Sequence, residues 1–184
     1  MELELKRNAF HLVLGCILAV VVLTIEKEYS LYLFAFSLII GYALSERIMQ
    51  GKRVFFLEPF LDNFEREEER PGKGALHFFI GAFISLVFFP KEIVFISILI
   101  LAFDDSFSTV FGQIYGRIKI KKAKTFEGFL AGFGACLVVT RFFVPLHVAL
   151  IACFIAAVVE LYSFLDDNIT IPVSTSLIIY ILTL

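Results

Sequence analysis

Apolar residues fill the chain in seven long runs, at roughly 9–25, 29–44, 74–89, 93–115, 126–140, 143–159 and 171–184. Short clusters of charged, proline and glycine residues interrupt them. Each run is read as a membrane-spanning helix. A full span takes about 20 apolar residues, and several of these runs are shorter. The last, at 1.5 Å per residue, reaches only about 21 Å across a core of about 30 Å. It is expected to span partially or to sit where the bilayer thins. The pattern predicts an all-α, polytopic integral membrane protein with six to seven transmembrane helices. Residues 1–184 then form a single transmembrane catalytic domain, with a cytoplasmic loop at about 45–73 and a basic one at about 116–125.

Composition agrees and excludes an ordinary soluble domain. Hydrophobic residues make up 59% and the mean hydropathy is +0.89, against about 45–50% apolar in a typical globular chain. Cys16, Cys136 and Cys153 stand singly in apolar runs, without metal-type spacing.

The net charge of −2 says little, because the charges are clustered. With the N-terminus inside and one crossing per run, one side receives thirteen Lys and Arg residues. The other receives only Lys27, Lys91 and Arg141. That asymmetry predicts a cytoplasmic N-terminus. The outside loops are very short, whereas the inside loop at 45–73 is long. Within it, residues 65–70 read as a solvated, ion-paired helix end at the headgroups, before the breaker Pro71-Gly72.

Ionisable residues within or at the end of a span are costly and ask for a reason. They are His11, Glu46, His77, Asp104, Asp105, Glu127, His147, Glu160, Asp166 and Asp167. All except His147 fall on the inner side, which describes a polar cavity opening to the cytoplasm. On a helix, Asp105, Ser108 and Gly112 share one face. Gly112 and Gly116 leave a smooth patch for a second backbone or a ligand. A buried carboxylate needs a cation, and Mg²⁺, held by one or two carboxylates plus substrate phosphates, is the natural one. The basic run Lys119, Lys121, Lys122 and Lys124 suits a polyphosphate. Lys124-Thr125 at a helix N-terminus adds an anion site. Read alone, the glycines are equally a packing motif and the basic run a topology signal.

A second acidic group, Glu160 with Asp166-Asp167-Asn168, precedes Pro172, which suits the start of a final helix. Arg7 and His11 lie one turn apart at the inner start of the first span. Glu46 is a candidate partner for Arg47 or for these two bases. His77 and His147 are read as packing or interface residues.

Together these elements resemble a known family. Asp105-x-x-Ser108-x-x-x-Gly112-x-x-x-Gly116, a basic run, and Lys124-Thr125-x-Glu127-Gly128 are similar to the central motif of the dolichol kinase, phytol kinase and CTP-dependent diacylglycerol kinase family. Glu160 with Asp167-Asn168-x-x-Ile171-Pro172 matches its final element, and Arg7-x-x-x-His11 resembles its N-terminal one. Asn8 and Asp104 stand where that family often has Lys and Gly. The related phosphatidate cytidylyltransferases share the middle motif but carry a His-Gly-Gly and Asp-Arg signature absent here.

The resemblance implies phosphoryl transfer from CTP to the hydroxyl of a membrane lipid alcohol, an isoprenoid of the polyprenol or dolichol type or diacylglycerol. It implies Asp105 and Asp167 as Mg²⁺ ligands, with Asp104, Asp166 and Glu160 behind them or as alternates. Gly112, Gly116, Lys119, Lys121, Lys122, Lys124, Thr125, Glu127 and Asn168 would serve the nucleotide. His11 or one carboxylate would be the general base. The expected partners are CTP, the lipid alcohol and the bilayer of the cell membrane, with no nucleic acid; the oligomeric state is open. The alternatives are a CDP-lipid synthase and a small transporter.

Overall fold

The structure is a computed structural model that describes residues 2–52, 54, 70–121, 124–162 and 165–184. Seven helices stand among the described residues. They are α1 (Glu2–Thr24), α2 (Lys27–Met49), α3 (Lys73–Phe88), α4 (Lys91–Tyr115), α5 (Phe126–Thr140), α6 (Leu146–Tyr162) and α7 (Asp167–Thr183). A two-stranded antiparallel hairpin, β1 (Lys119–Lys121) with β2 (Lys124–Thr125), joins α4 to α5. The segment at 65–69 and Lys122 lie outside the described residues.

Each apolar run forms one helix, because an uninterrupted apolar segment satisfies its backbone polar groups within itself. Prolines mark the starts: Pro90 is the N-cap of α4, and the Pro145 carbonyl accepts from Ala149 N at 3.0 Å as α6 opens. Pro172 differs from expectation. It lies inside α7, in the second turn, because Asp166 caps the helix six residues earlier by accepting from Asn168 N at 3.2 Å. The proline has no N–H to give the Asn168 carbonyl. Gly81 of α3 packs there instead; a Cβ on it would stand 2.3 Å from Asn168 O.

α4 is the hub, packing against α1, α5, α7 and α6. Its first half is buried on nearly every face, from Ile93 through Ala102, as a helix surrounded by other helices requires. α2 stands at the edge, against α3.

Three helices are long and apolar enough to cross a membrane: Glu4–Thr24 of α1, α2, and α4. The other four have 15 to 17 residues and are about 22–26 Å long. The chain is an integral membrane protein on these helices.

α3, α5 and α7 begin, and α6 ends, at one end of the bundle. There Arg7, Asn8 and His11 of α1 and Asp105 and Ser108 of α4 face the same cavity. Asp105 lies 14 residues into α4, about 21 Å from its far end, and ten residues from its near end. The ends of the short helices and these stretches of α1 and α4 together line one cavity.

Candidate functional site

The cavity has a volume of about 390 Å³. Every helix except α2 contributes to it: Arg7, Asn8 and His11 from α1, Lys73 and Gly74 from α3, Asp105 and Ser108 from α4. Lys124 and Thr125 come from β2, Glu160 from α6, and Asp166, Asp167 and Asn168 from the start of α7.

At its centre, Asp105, Glu160 and Asp167 each offer a carboxylate oxygen, all within 4.8 Å of one another. Three helices thus deliver three acids to one point. The Lys124 ammonium sits against them, donating to Glu160 Oε1 and standing 3.5 Å from Asp167 Oδ2. Ser108 Oγ, one turn beyond Asp105, donates to the same Glu160 oxygen at 2.5 Å. His11 Nε2 faces Asp105 Oδ2 at 3.9 Å, and its ring edge packs on Phe78.

Burial pushes the Lys124 pKa down, but the Glu160, Asp105 and Asp167 charges outweigh it and hold the amine above the ordinary lysine value. The sign follows. Its stabilising charge is present below the usual lysine pKa of about 10.4 and is lost only as pH rises through the still higher folded value. This cluster therefore confers no stability change through neutral pH by way of Lys124.

Three carboxylates meeting at one point suit a hard divalent cation. Lys124 is the cation that sits against them, so removing it leaves the acids opposed. Lys124→Gln is expected to lower the melting temperature in chelator-treated detergent solution and to regain most of it with millimolar Mg²⁺. Equal melting of variant and parent in chelator would disprove this coupling.

The remaining motif residues mainly position Lys124. Thr125 caps α5, its Oγ1 accepting from Gly128 N at 3.2 Å. Glu127 accepts from the backbone N–H groups of Arg117 at 3.0 Å and Ile118 at 3.2 Å, which ties the end of α4 to the start of α5. Lys119 and Lys121 lie exposed on β1, and Lys121 Nζ stands 5.4 Å from the Tyr162 ring centroid.

The two glycines are used by the chain itself. A Cβ on Gly112 would meet Thr125 Oγ1 at 3.0 Å, and one on Gly116 would meet Thr125 Cγ2 at 2.6 Å. Their smallness lets α5 and the hairpin close on α4, although Gly112 also borders the cavity.

The neighbours of the central acids face elsewhere. Asp104 is fully buried, and neither carboxylate oxygen has a hydrogen-bond partner among the described residues. It points at α5, where a Cβ on Gly132 would lie 2.5 Å from Asp104 Oδ1. Asp166 stands 2.8 Å from His77 Nδ1 of α3 and accepts from Asn168 Nδ2 at 3.0 Å. Burial pushes the Asp166 pKa up, yet His77 and Asn168 together hold it below the ordinary carboxylate value. Glu46 is bound to Arg70 rather than to Arg47 or the α1 bases, and Arg70 also donates to Ser45 Oγ at 3.1 Å.

The His77–Asp166 contact had no signal in the sequence beyond a histidine at the inner end of a run. It locks the start of α7 to α3 and so aims Asp167.

An uncharacterized protein of Methanocaldococcus jannaschii is 37% identical over 182 residues, covering 96% of this chain and 92% of its own length. The chain belongs to that protein's family.

More distant relatives carry an activity in their names. The CTP-dependent diacylglycerol kinase 1 of Schizosaccharomyces pombe is 31% identical over 139 residues, and that of Saccharomyces cerevisiae 27% over 143. Each match covers just over 60% of this chain, and 64% and 49% of the two enzymes. The chain thus spans 46% to 64% of the length of the curated kinases it matches. It is a distant relative of CTP-dependent lipid kinases. No family model and no solved structure matches it.

Proposed function

We propose that this protein transfers the γ-phosphoryl group of CTP to the hydroxyl of a membrane lipid alcohol. The observation that carries this reading is the meeting of Asp105, Glu160, Asp167 and Lys124 in one cavity between the helices. The distant likeness to CTP-dependent diacylglycerol kinases supports it. All seven helices are taken as spans, with the cavity open to the cytoplasm in the cell membrane, in keeping with the thirteen bases against three.

Asp105, Glu160 and Asp167 would hold Mg²⁺, which supplies charge neutralisation to the transferring phosphoryl group. Glu160 joins the two aspartates because Ser108 and Lys124 fix its carboxylate from either side. Lys124, its charge held on by the surrounding acids, faces the nucleotide phosphates. In the transfer, the lipid hydroxyl oxygen forms a bond to the γ-phosphorus as the bond to the bridging oxygen of the leaving group breaks. CDP departs with that electron pair. The hydroxyl proton goes to His11, whose buried Nε2 has no hydrogen-bond partner among the described residues. Transfer of this kind depends chiefly on positioning and charge, and the residues that position these groups come from six helices.

Purified protein would be assayed with the four nucleoside triphosphates, each labelled at the γ-phosphate, against isoprenoid alcohols and diacylglycerol. The expected result is a labelled lipid phosphate with CTP as the preferred donor. A cytidine-linked lipid and released pyrophosphate would instead establish a CDP-lipid synthase, and no labelled lipid from any donor would end the kinase reading.

A further inference from the structure

The cavity has two chemically different sides. One carries the three acids and Lys124. The other is built from the first turns of α1 and the N-terminus of α3, and it is rich in donors. Asn8 is 6% exposed, and its Nδ2 meets no hydrogen-bond partner among the described residues; the same holds for the buried Arg7 Nη1. Buried donors left unmatched are costly and rare in native proteins. The Asn8 backbone carbonyl accepts from Ser106 Oγ at 3.2 Å, which fixes that turn of α1 on α4.

The Arg7 guanidinium lies across the first turn of α3, with Nη2 3.7 Å from where a Cβ on Gly74 would stand. That turn contains Lys73 and no acid, and its N-cap, Gly72, provides no side-chain cap. A helix N-terminus carries partial positive charge. Guanidinium, carboxamide N–H and helix terminus thus converge on one wall; Glu4 lines the same side, and Asp166 reaches α3 one turn further on through His77. Phosphate oxygens complement this set, since a guanidinium binds them in parallel pairs. Beside it the lining turns apolar, through Phe10, Leu14, Ala75 and Phe78.

We propose that the α1–α3 wall is a phosphomonoester subsite that holds the phosphate of the phosphorylated lipid, apart from the nucleotide phosphates at Lys124. This rests on the kinase reading above for the source of the lipid phosphate, while the donor set stands independently of it. The acceptor headgroup sits between His11 and Asp105, and the phosphoryl group passes from the Lys124 side of Asp105 to the Arg7 side. The apolar chain leaves along this lining toward Phe10, its exposed apolar residue.

The test is equilibrium binding to the full chain in detergent micelles, with four separate probes: phosphatidate, a polyprenyl monophosphate, inorganic phosphate and Mg²⁺-CTP. Arg7→Gln and Asn8→Leu are each expected to weaken at least one of the two lipid monophosphates by about tenfold or more and to leave Mg²⁺-CTP binding unchanged. Lys124→Gln is expected to show the reverse. Inorganic phosphate is expected to bind far more weakly than the lipid monophosphate. Arg7→Lys, which keeps charge but loses the paired donors, serves if Arg7→Gln fails to fold, with an intermediate loss expected. Unchanged lipid monophosphate binding in these variants, or a loss confined to Mg²⁺-CTP, would overturn the proposal. So would inorganic phosphate binding as tightly as either lipid, because the site would then take free phosphate. Subsite binding in a protein that transfers no phosphoryl group would end the kinase reading alone. Transfer activity with variant-insensitive product binding would end the subsite alone.

Discussion

Replacing Asp105 by asparagine is expected to lower phosphoryl transfer by about 10²–10³-fold, the scale lost when one preorganised electrostatic group is removed from a buried site. The amide keeps the shape of the side chain and leaves Lys124 and Glu160 in contact, so the fold is expected to persist. What disappears is one of the three charges that meet within 4.8 Å. Asp104→Asn is the matching control. It makes the same chemical change one residue earlier, on a side chain that faces Gly132 of α5 and does not border the cavity. Its effect on transfer is expected to be far smaller. Initial rates with labelled CTP, together with Mn²⁺ binding followed by electron paramagnetic resonance, would measure both variants. Full activity in Asp105→Asn, or an equal loss in Asp104→Asn, would remove Asp105 from its proposed role.

The second large effect is expected at the seam between α4 and α5. A Cβ on Gly128 would stand 2.6 Å from Ser108 O and 3.1 Å from the Cα of Gly112. Both obstacles are backbone, so no side chain can move aside to admit it. Gly128→Val is therefore expected to force the two helices apart, at a cost of about 1–3 kcal/mol or more. Because Lys124 and Thr125 immediately precede α5, the shift would also carry the lysine off Glu160. Gly134 lies on the same helix with nothing within 4 Å of its would-be Cβ. Gly134→Ala is expected to be neutral or to stabilise by up to about 1 kcal/mol, through helix propensity. Thermal unfolding in detergent reads both. A Gly128→Val variant that melts with the parent would show that the seam is looser than these distances require.

Much of this was legible in the chain. Seven apolar runs became seven helices among the described residues, because a long uninterrupted apolar segment has few other ways to satisfy its backbone in a membrane. That Arg7, His11, Asp105, Lys124, Glu160 and Asp167 would gather at one end was legible too, since all lie at the same ends of alternating runs. If the runs cross in turn, those ends must meet.

From the apolar pattern alone the choice among neighbouring acids was not legible; the family resemblance pointed to Asp105 and Asp167 but set Glu160 behind them. Asp104 and Asp105 differ by about 100° around α4, and only the packing of α1 on one flank and α5 on the other decides which enters the cavity. Asp166 and Asp167 are separated in the same way: His77 and the cap of α7 take the first and leave the second to face Lys124. Glu46 went to Arg70, a residue from a loop whose path the apolar pattern does not describe. Sequence by itself determined the helices, their breaks and the end of the bundle to which the polar groups belong, because these depend on runs and their order. Which side chains touch was decided only by tertiary structure, because contact depends on helix rotation and on the glycine gaps that set how closely two helices approach.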